Sequence, residues 1–232
     1  MTLDEYLNFM KAVTVSPAGS HFRHWQEQGI KHGFEGVGGH LQEYHHCDQV
    51  HGTALYEAGK DTAWNCEARI AGDGIYSNES KRPVAVKTAD CVPILLHSES
   101  RVMAVHAGWR GLKSGIVSKA LEILPRDRVQ VGIGPCISYH KFEIGFEVVE
   151  EFLNSDLPIS EGQWQSVFQR GVADRWHCDL ATIVLLILAA SGVSGSRVAL
   201  MRTCTMMATD QWHSYRRDGV EAGRNWSWIC LS

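Results

Sequence analysis

The sequence predicts an α/β fold: one compact domain over residues 1–232, with layered mixed β-sheets flanked by helices. Three observations carry that expectation. Short β-type runs of four to six residues crowd the middle of the chain. Segments of helical period fall before, between and after them. No long linker, low-complexity stretch or internal repeat separates the two kinds.

In chain order, Leu3, Tyr6, Leu7 and Met10 recur at i, i+3/i+4 spacing and predict a short amphipathic helix over 2–12. Residues 29–40, GIKHGFEGVGGH, hold five glycines and predict a strand end followed by a mobile loop. AGDGIYSNES at 71–80 reads as turn-rich. Val84–Lys87, Pro93–His97 and Arg101–His106 read as strands. Gly108–Gly111 interrupts the pattern, and one helix is expected over Leu112–Leu124, with Ile116, Val117, Ala120, Leu121 and Leu124 on one face. Val129–Ile133 returns to strand, and Phe142–Leu153 reads as a helix with Ile144, Val148, Val149 and Phe152 together. Asp179 suits the start of a helix over Asp179–Ala190, because its carboxylate accepts first-turn amide hydrogens. The apolar run Ile183–Ala190 is too short to span a bilayer and reads as buried. Arg197–Arg202 and Trp226–Leu231 complete the strands.

Composition narrows the function classes. With 44% apolar residues, 21% charged residues and a net charge of −4, the chain is an ordinary globular one rather than a disordered one. A pI of 6.3 argues against a nucleic-acid partner, since neutralising phosphates needs a basic excess. Seven cysteines, an odd number, exclude a fully paired disulfide scaffold within one chain, and the absence of any CxxC pair excludes a zinc-knuckle framework. MTLDEYLNFMK shows no basic start followed by an apolar core, so no secretory signal is read there. A reduced cytoplasmic location without a membrane partner is the expectation.

Three segments combine metal-competent side chains with small or turn-forming residues: Gln49-Val50-His51-Gly52, Thr88-Ala89-Asp90-Cys91 and Val105-His106-Ala107-Gly108-Trp109-Arg110-Gly111. Each polar residue is expected where a strand leaves the core, held firmly yet able to reach a cleft. His51, Cys91 and His106 would then offer two imidazoles and a thiolate, the donors of a catalytic zinc site with one open position. Copper accepts the same donors. The same residues also suit a thiol nucleophile with a histidine base, as in a cysteine hydrolase. Taken singly, a cysteine after an apolar strand is ordinarily a small buried residue, and His-Gly is ordinarily a turn.

TADCVPILL, VHAGWRG, GIGPCIS and HSYRRDGVEAGR, with FEIGFEVVEEF and CDLA between, resemble the laccase-domain family, in order from about residue 48 to the C-terminus. Its members are called multicopper polyphenol oxidoreductases, purine nucleoside phosphorylases or peptidoglycan editing factors. The resemblance implies a metal site on His51, Cys91 and His106. It implies a zinc-dependent purine nucleoside phosphorylase, converting adenosine, inosine or methylthioadenosine to free base and a sugar phosphate, with adenosine deamination as a side activity. The alternatives it leaves are a cysteine hydrolase acting on peptidoglycan precursors through Cys91 with His51 or His106, and phenol oxidation with copper. Several coppers would need many more histidines, and of twelve only two stand in such motifs. Implied partners are a nucleoside and phosphate, for a monomer or homodimer.

Phosphate calls for guanidinium donors, and Arg110 and Arg216 are the candidates, with Arg202 and Arg224 near in sequence. Arg217 is expected in an ordinary surface ion pair. Trp109 is placed to stack on a base. Asp90 is expected either to orient a histidine or to cap a turn. Cys136 and Cys204 read as small buried residues, Cys136 with a possible place at the cleft. The family usually carries a longer N-terminal segment with an arginine before its Gly-Gly. Here EGVGGH has Glu35 and no arginine, so the N-terminal segment reads as shortened; if that arginine binds phosphate in relatives, substrate preference, or phosphorolysis itself, is altered. His32, His40, His45 and His46 read as solvated loop histidines.

Overall fold

One seven-stranded sheet, with helices on one face and a smaller sheet on the other, organises the computed structural model, which describes residues 2–16, 20–39, 43–59, 70–124 and 128–232. Helix α1 (Leu3–Ala12) opens on a capping box, in which Thr2 and Glu5 exchange side-chain and backbone hydrogen bonds. Then follow β1 (Thr14–Ser16), α2 (Arg23–Glu27), β2 (Lys31–Glu35), β3 (Leu55–Glu57) and β4 (Gly74–Ser77). The central strands are β5 (Val84–Thr88), β6 (Val92–Ser98) and β7 (Arg101–Ala107), each within two residues of the run that predicts it. Next come α3 (Trp109–Lys113), α4 (Ile116–Ile123), β8 (Gln130–Ile133), β9 (Glu143–Gly145), α5 (Phe146–Leu153) and α6 (Glu161–Trp164). The chain ends with β10 (Phe168–Arg170), β11 (Arg175–Cys178), α7 (Leu180–Ala190), β12 (Val198–Met201), α8 (Tyr215–Asp218) and β13 (Asn225–Cys230).

The large sheet has the order β1-β12-β8-β6-β7-β4-β3; β2-β13-β5 and β10-β11-β9 form two three-stranded sheets. Parallel pairs flank the large sheet, and its middle, β8-β6-β7-β4, is antiparallel. The alternation of side chains along a strand divides β7 between two cores. Met103, Val105 and Ala107 face the helices, while Val102 and Ala104 face the small sheet and its Val84, Val86 and Ile229. His106 continues the second series, so its side chain lies on the inner face between the sheets, at their rim.

Two expected helices differ from the structure. The helix expected over 112–124 is broken into α3 and α4 at Gly115, whose φ of 84° is a left-handed conformation that suits glycine. The helix expected from Phe142 begins only at Phe146, because Ile144 pairs with Trp176 in β9–β11. Helical spacing over 144–152 spans that change of element. Helix α7 agrees with its expectation: Asp179 accepts from the Thr182 amide at 3.0 Å, and Ile183–Leu188 are fully buried. Among the described residues no helix is long and apolar enough to cross a membrane.

Two truncations on α7 should separate its packing from its cap. Leu186→Ala removes a fully buried side chain and should lower stability by about 2–5 kcal/mol. Asp179→Ala removes only the cap and should lower it by about 1 kcal/mol. Urea denaturation of both variants checks the ranking, and an equal loss would contradict it.

Candidate metal centre

His51, Cys91 and His106 meet at the rim between the two stacked sheets, with their ligand atoms all within 4.8 Å of one another. Cys91 Sγ lies 3.9 Å from His51 Nε2, and the two imidazoles cross edge-on with centroids 4.8 Å apart. They come from three kinds of backbone. His106 is the penultimate residue of β7, and Cys91 ends the turn between β5 and β6. His51 departs from the expected strand end: it sits in a turn, exposed, with a φ of 60°.

Asp73, not Asp90, orients the histidine. This fully buried carboxylate accepts from His106 Nδ1 at 2.8 Å. It also accepts from the amides of His51 at 2.9 Å, Gly52 at 2.6 Å and Val50 at 3.3 Å. With Nδ1 committed to Asp73, Nε2 is the remaining ligand atom of His106. The Asp73 bonds also hold the His51 turn in its left-handed conformation. Burial opposes the Asp73 charge, but the bonds from His106, Gly52 and His51 prevail and hold its carboxyl below the usual range. Burial likewise works against a charged His106, yet Asp73 and Cys91 raise it to about 9. Burial would push the Cys91 thiol up, but hydrogen bonds and charge from His106 and His51 pull it down to about 6.

Asp90 caps a turn, one of its two expected roles. Its carboxylate accepts from Thr205 Oγ1 at 2.6 Å, Ser214 Oγ at 3.0 Å and the Arg216 amide at 2.6 Å. Its φ is 95°, and its carbonyl takes the Ile137 amide at 2.9 Å. Gly108 has a steric reason in the same place: a Cβ there would lie 2.8 Å from the His51 ring and 3.1 Å from Cys91 Sγ.

A cleft of about 620 Å³ opens over the three donors. Gln49, Lys87, Phe142, Tyr215, Arg216 and Arg224 line it with them. Arg216 therefore reaches the cleft, its guanidinium 5.2 Å from the Phe142 ring centre and bonded to the Glu143 carbonyl. Trp109 and Arg110 do not line it. The Arg110 guanidinium lies 4.4 Å over the Trp109 ring, which packs toward Phe152 because α3 turns both away from the rim. Arg217 pairs with Asp218 at 2.7 Å but is more than a surface ion pair, since its guanidinium also donates to the Thr205, Met206 and Trp212 carbonyls. Cys136 lines a second cavity rather than this cleft. Glu35, at the start of EGVGGH, accepts from Tyr44 and Trp228. His32 and His45 are buried rather than solvated, His46 packs edge-on against Trp226, and His40 lies outside the described residues.

The donors fit a metal ion. A tetrahedral zinc with bonds of about 2.0 Å to nitrogen and 2.3 Å to sulfur puts those atoms about 3.5 Å apart. The observed group is slightly wider, has a cleft on its open side, and contains a thiol already disposed to ionise.

Residues 28–232 match the family described as multi-copper polyphenol oxidoreductase laccase, and the chain belongs to that family. Purine nucleoside phosphorylase YfiH of Escherichia coli (strain K12) is 32% identical over 192 residues, 79% of this chain and 72% of that protein. Adenosine deaminase RL5, from an unknown prokaryotic organism, is 32% identical over 171 residues. A purine nucleoside phosphorylase of Bacteroides thetaiotaomicron is 32% identical over 169 residues. The chain spans only 64% and 60% of the length of these last two. Among solved structures, a Neisseria meningitidis protein superposes with a TM-score of 0.72 at 28% identity, covering 90% of this chain and 78% of that one. YlmD from Geobacillus stearothermophilus gives 0.69 at 27% identity, covering 81% and 73%.

If Asp73 fixes the donor geometry, Asp73→Asn should weaken zinc binding by about 10–100-fold. Competition against a chromophoric chelator measures this, with circular dichroism to verify folding. Unchanged affinity in the folded variant would show that the histidine is positioned by other means.

Proposed function

We propose that this chain is a zinc-dependent purine nucleoside phosphorylase, releasing the base of adenosine, inosine or methylthioadenosine with phosphate as acceptor. The observation that carries the reading is the His51/Cys91/His106 group at the floor of a cleft whose walls bear Lys87, Arg216 and Arg224. The cleft's volume lies within the range of small-molecule sites, about 300–1,000 Å³. The relatives named as phosphorylases and as an adenosine deaminase support the substrate class, and both reactions are redox-neutral.

His51, Cys91 and His106 would hold the metal, which supplies a Lewis acid with an open position when bound. Asp73 keeps His106 in one tautomer and one orientation. Arg216 offers a planar guanidinium to phosphate oxygens, with Lys87 and Arg224 adding positive charge to the same wall. Phe142 and Tyr215 offer flat faces to a purine in place of Trp109. A zinc centre rather than several coppers accords with the three donors and with a reaction that moves no electrons. Adenosine deamination at the same centre would be the side activity.

A second reading has its own observation. Cys91, His106 and Asp73 stand in thiol–imidazole–carboxylate order, with the thiol lowered and the imidazole held by the carboxylate. That is the arrangement of a cysteine hydrolase.

High-performance chromatography of purified protein with each nucleoside should show free base only when phosphate is present. Dipicolinate should abolish release and zinc restore it, Cys91→Ser should remove it, and Arg216→Ala should raise the phosphate KM by about tenfold. Full activity after chelation, with a covalent adduct at Cys91, would establish the hydrolase instead.

A further inference from the structure

Behind the cleft lies a second cavity of about 360 Å³, between the 136–138 and 202–204 segments and helix α7. Two free thiols, Cys136 and Cys204, line it, and neither takes part in the chemistry proposed above. Their placement is set by the backbone. Cys136 and Cys204 are directly opposite partners in a parallel β-bridge, closed by the Cys136 amide on the Thr203 carbonyl and the Thr205 amide on the Cys136 carbonyl. Opposite residues of such a pair project to the same face. Bridged strands lie about 4.8 Å apart, inside the Cα separation of about 4.4–6.8 Å that a disulfide spans. The Cys204 sulfur is turned toward the other segment, where it accepts from the Ser138 amide at 3.3 Å.

We propose that Cys136 and Cys204 form an oxidisable dithiol that reacts with hydroperoxides and closes to an intramolecular disulfide. Both line the cavity, but Cys204 is half-buried and Cys136 buried, so Cys204 meets the oxidant first. The Cys204 sulfur attacks a peroxide oxygen, the O–O bond breaks, and an alcohol or water leaves. The resulting sulfenic acid is attacked by Cys136: the S–S bond forms, the S–O bond breaks, and water leaves with the remaining proton. Two thiols are thus oxidised by two electrons and one hydroperoxide is reduced, with no further reactant required.

The bond would join two segments that support the floor of the neighbouring cleft. Thr205, next to Cys204, donates to the Asp90 carboxylate, and Ile137, next to Cys136, donates to its carbonyl. Ile137 lines both the cleft and the cavity, and its two neighbours line the cavity, so one short segment is the wall between them.

The test treats the native full chain with hydrogen peroxide, with and without excess zinc, then alkylates, digests and maps the cysteines by mass spectrometry. The expected result is a peptide joining Cys136 to Cys204, loss of alkylation at both, and reversal by dithiothreitol. In Cys136→Ala, Cys204 should instead be trapped as a sulfenic acid that dimedone labels. Retention of both thiols at peroxide doses that oxidise Cys91, or a bridge from either one to Cys91, would overturn the proposal. The readout is independent of nucleoside turnover, so it stands or falls apart from the phosphorylase reading.

Discussion

A buried carboxylate needs partners, because an unpaired charge in the interior costs several kcal/mol. Asp73 finds four donors, three of them backbone amides of residues 50–52 and one the ring of His106. The turn carrying His51 has no strand ladder of its own to fix it. It is fixed by the same group that orients the histidine opposite, so the distance between the two imidazoles is set by one side chain. The neighbouring backbone joins in, since the Asp73 carbonyl takes the His106 amide at 2.7 Å.

Asp90 does the corresponding work on the other side of Cys91. It draws in Thr205, Ser214 and the start of α8, and so brings Tyr215 and Arg216 to the cleft from near the end of the chain. Both turns contain a non-glycine residue at positive φ, His51 and Asp90. Such conformations persist where surrounding bonds over-determine them, and in each case a buried carboxylate supplies those bonds. The cleft is therefore a product of two polar networks rather than of the apolar cores, whose members on β7 flank His106 at Ala107 on one face and Ala104 on the other.

Strands β6, β7, β8 and β12 of the large sheet were legible because apolar runs bounded by turn residues carry their own signal, whereas β4 lies inside the 71–80 stretch that reads as turn-rich. His-Gly, Asp-Cys and His-Ala-Gly mark the three donors, although His51 sits in a turn and not at a strand end. Asp73 was not legible. Gly-Asp-Gly reads as turn chemistry, and no local pattern reveals that its carboxylate lies 2.8 Å from a histidine 33 residues away. Gly115 was hidden for a related reason: the apolar period continues through it, so only its left-handed φ separates α3 from α4. At Ile144 the spacing satisfied a helix while pairing with Trp176 decided for a strand. Trp109 and Arg110 misled by sequence proximity, since the helix starting beside His106 carries both away from the cleft.

The thiol at the centre links the two readings of this site. A cysteine held down to about 6 by two imidazoles is prepared equally for a cation and for an electrophilic carbon. What separates the outcomes is occupancy of the third side. A divalent cation held by Cys91 and His106 would take the place of the proton between them and supply a Lewis acid there, with the thiolate occupied as a ligand. The cationic wall then becomes informative: Lys87, Arg216 and Arg224 are suited to bring an anion toward the centre. Positive charge beside a thiolate also stabilises it, so what sets the metal reading apart is that the same wall can hold a second, anionic reactant at the centre.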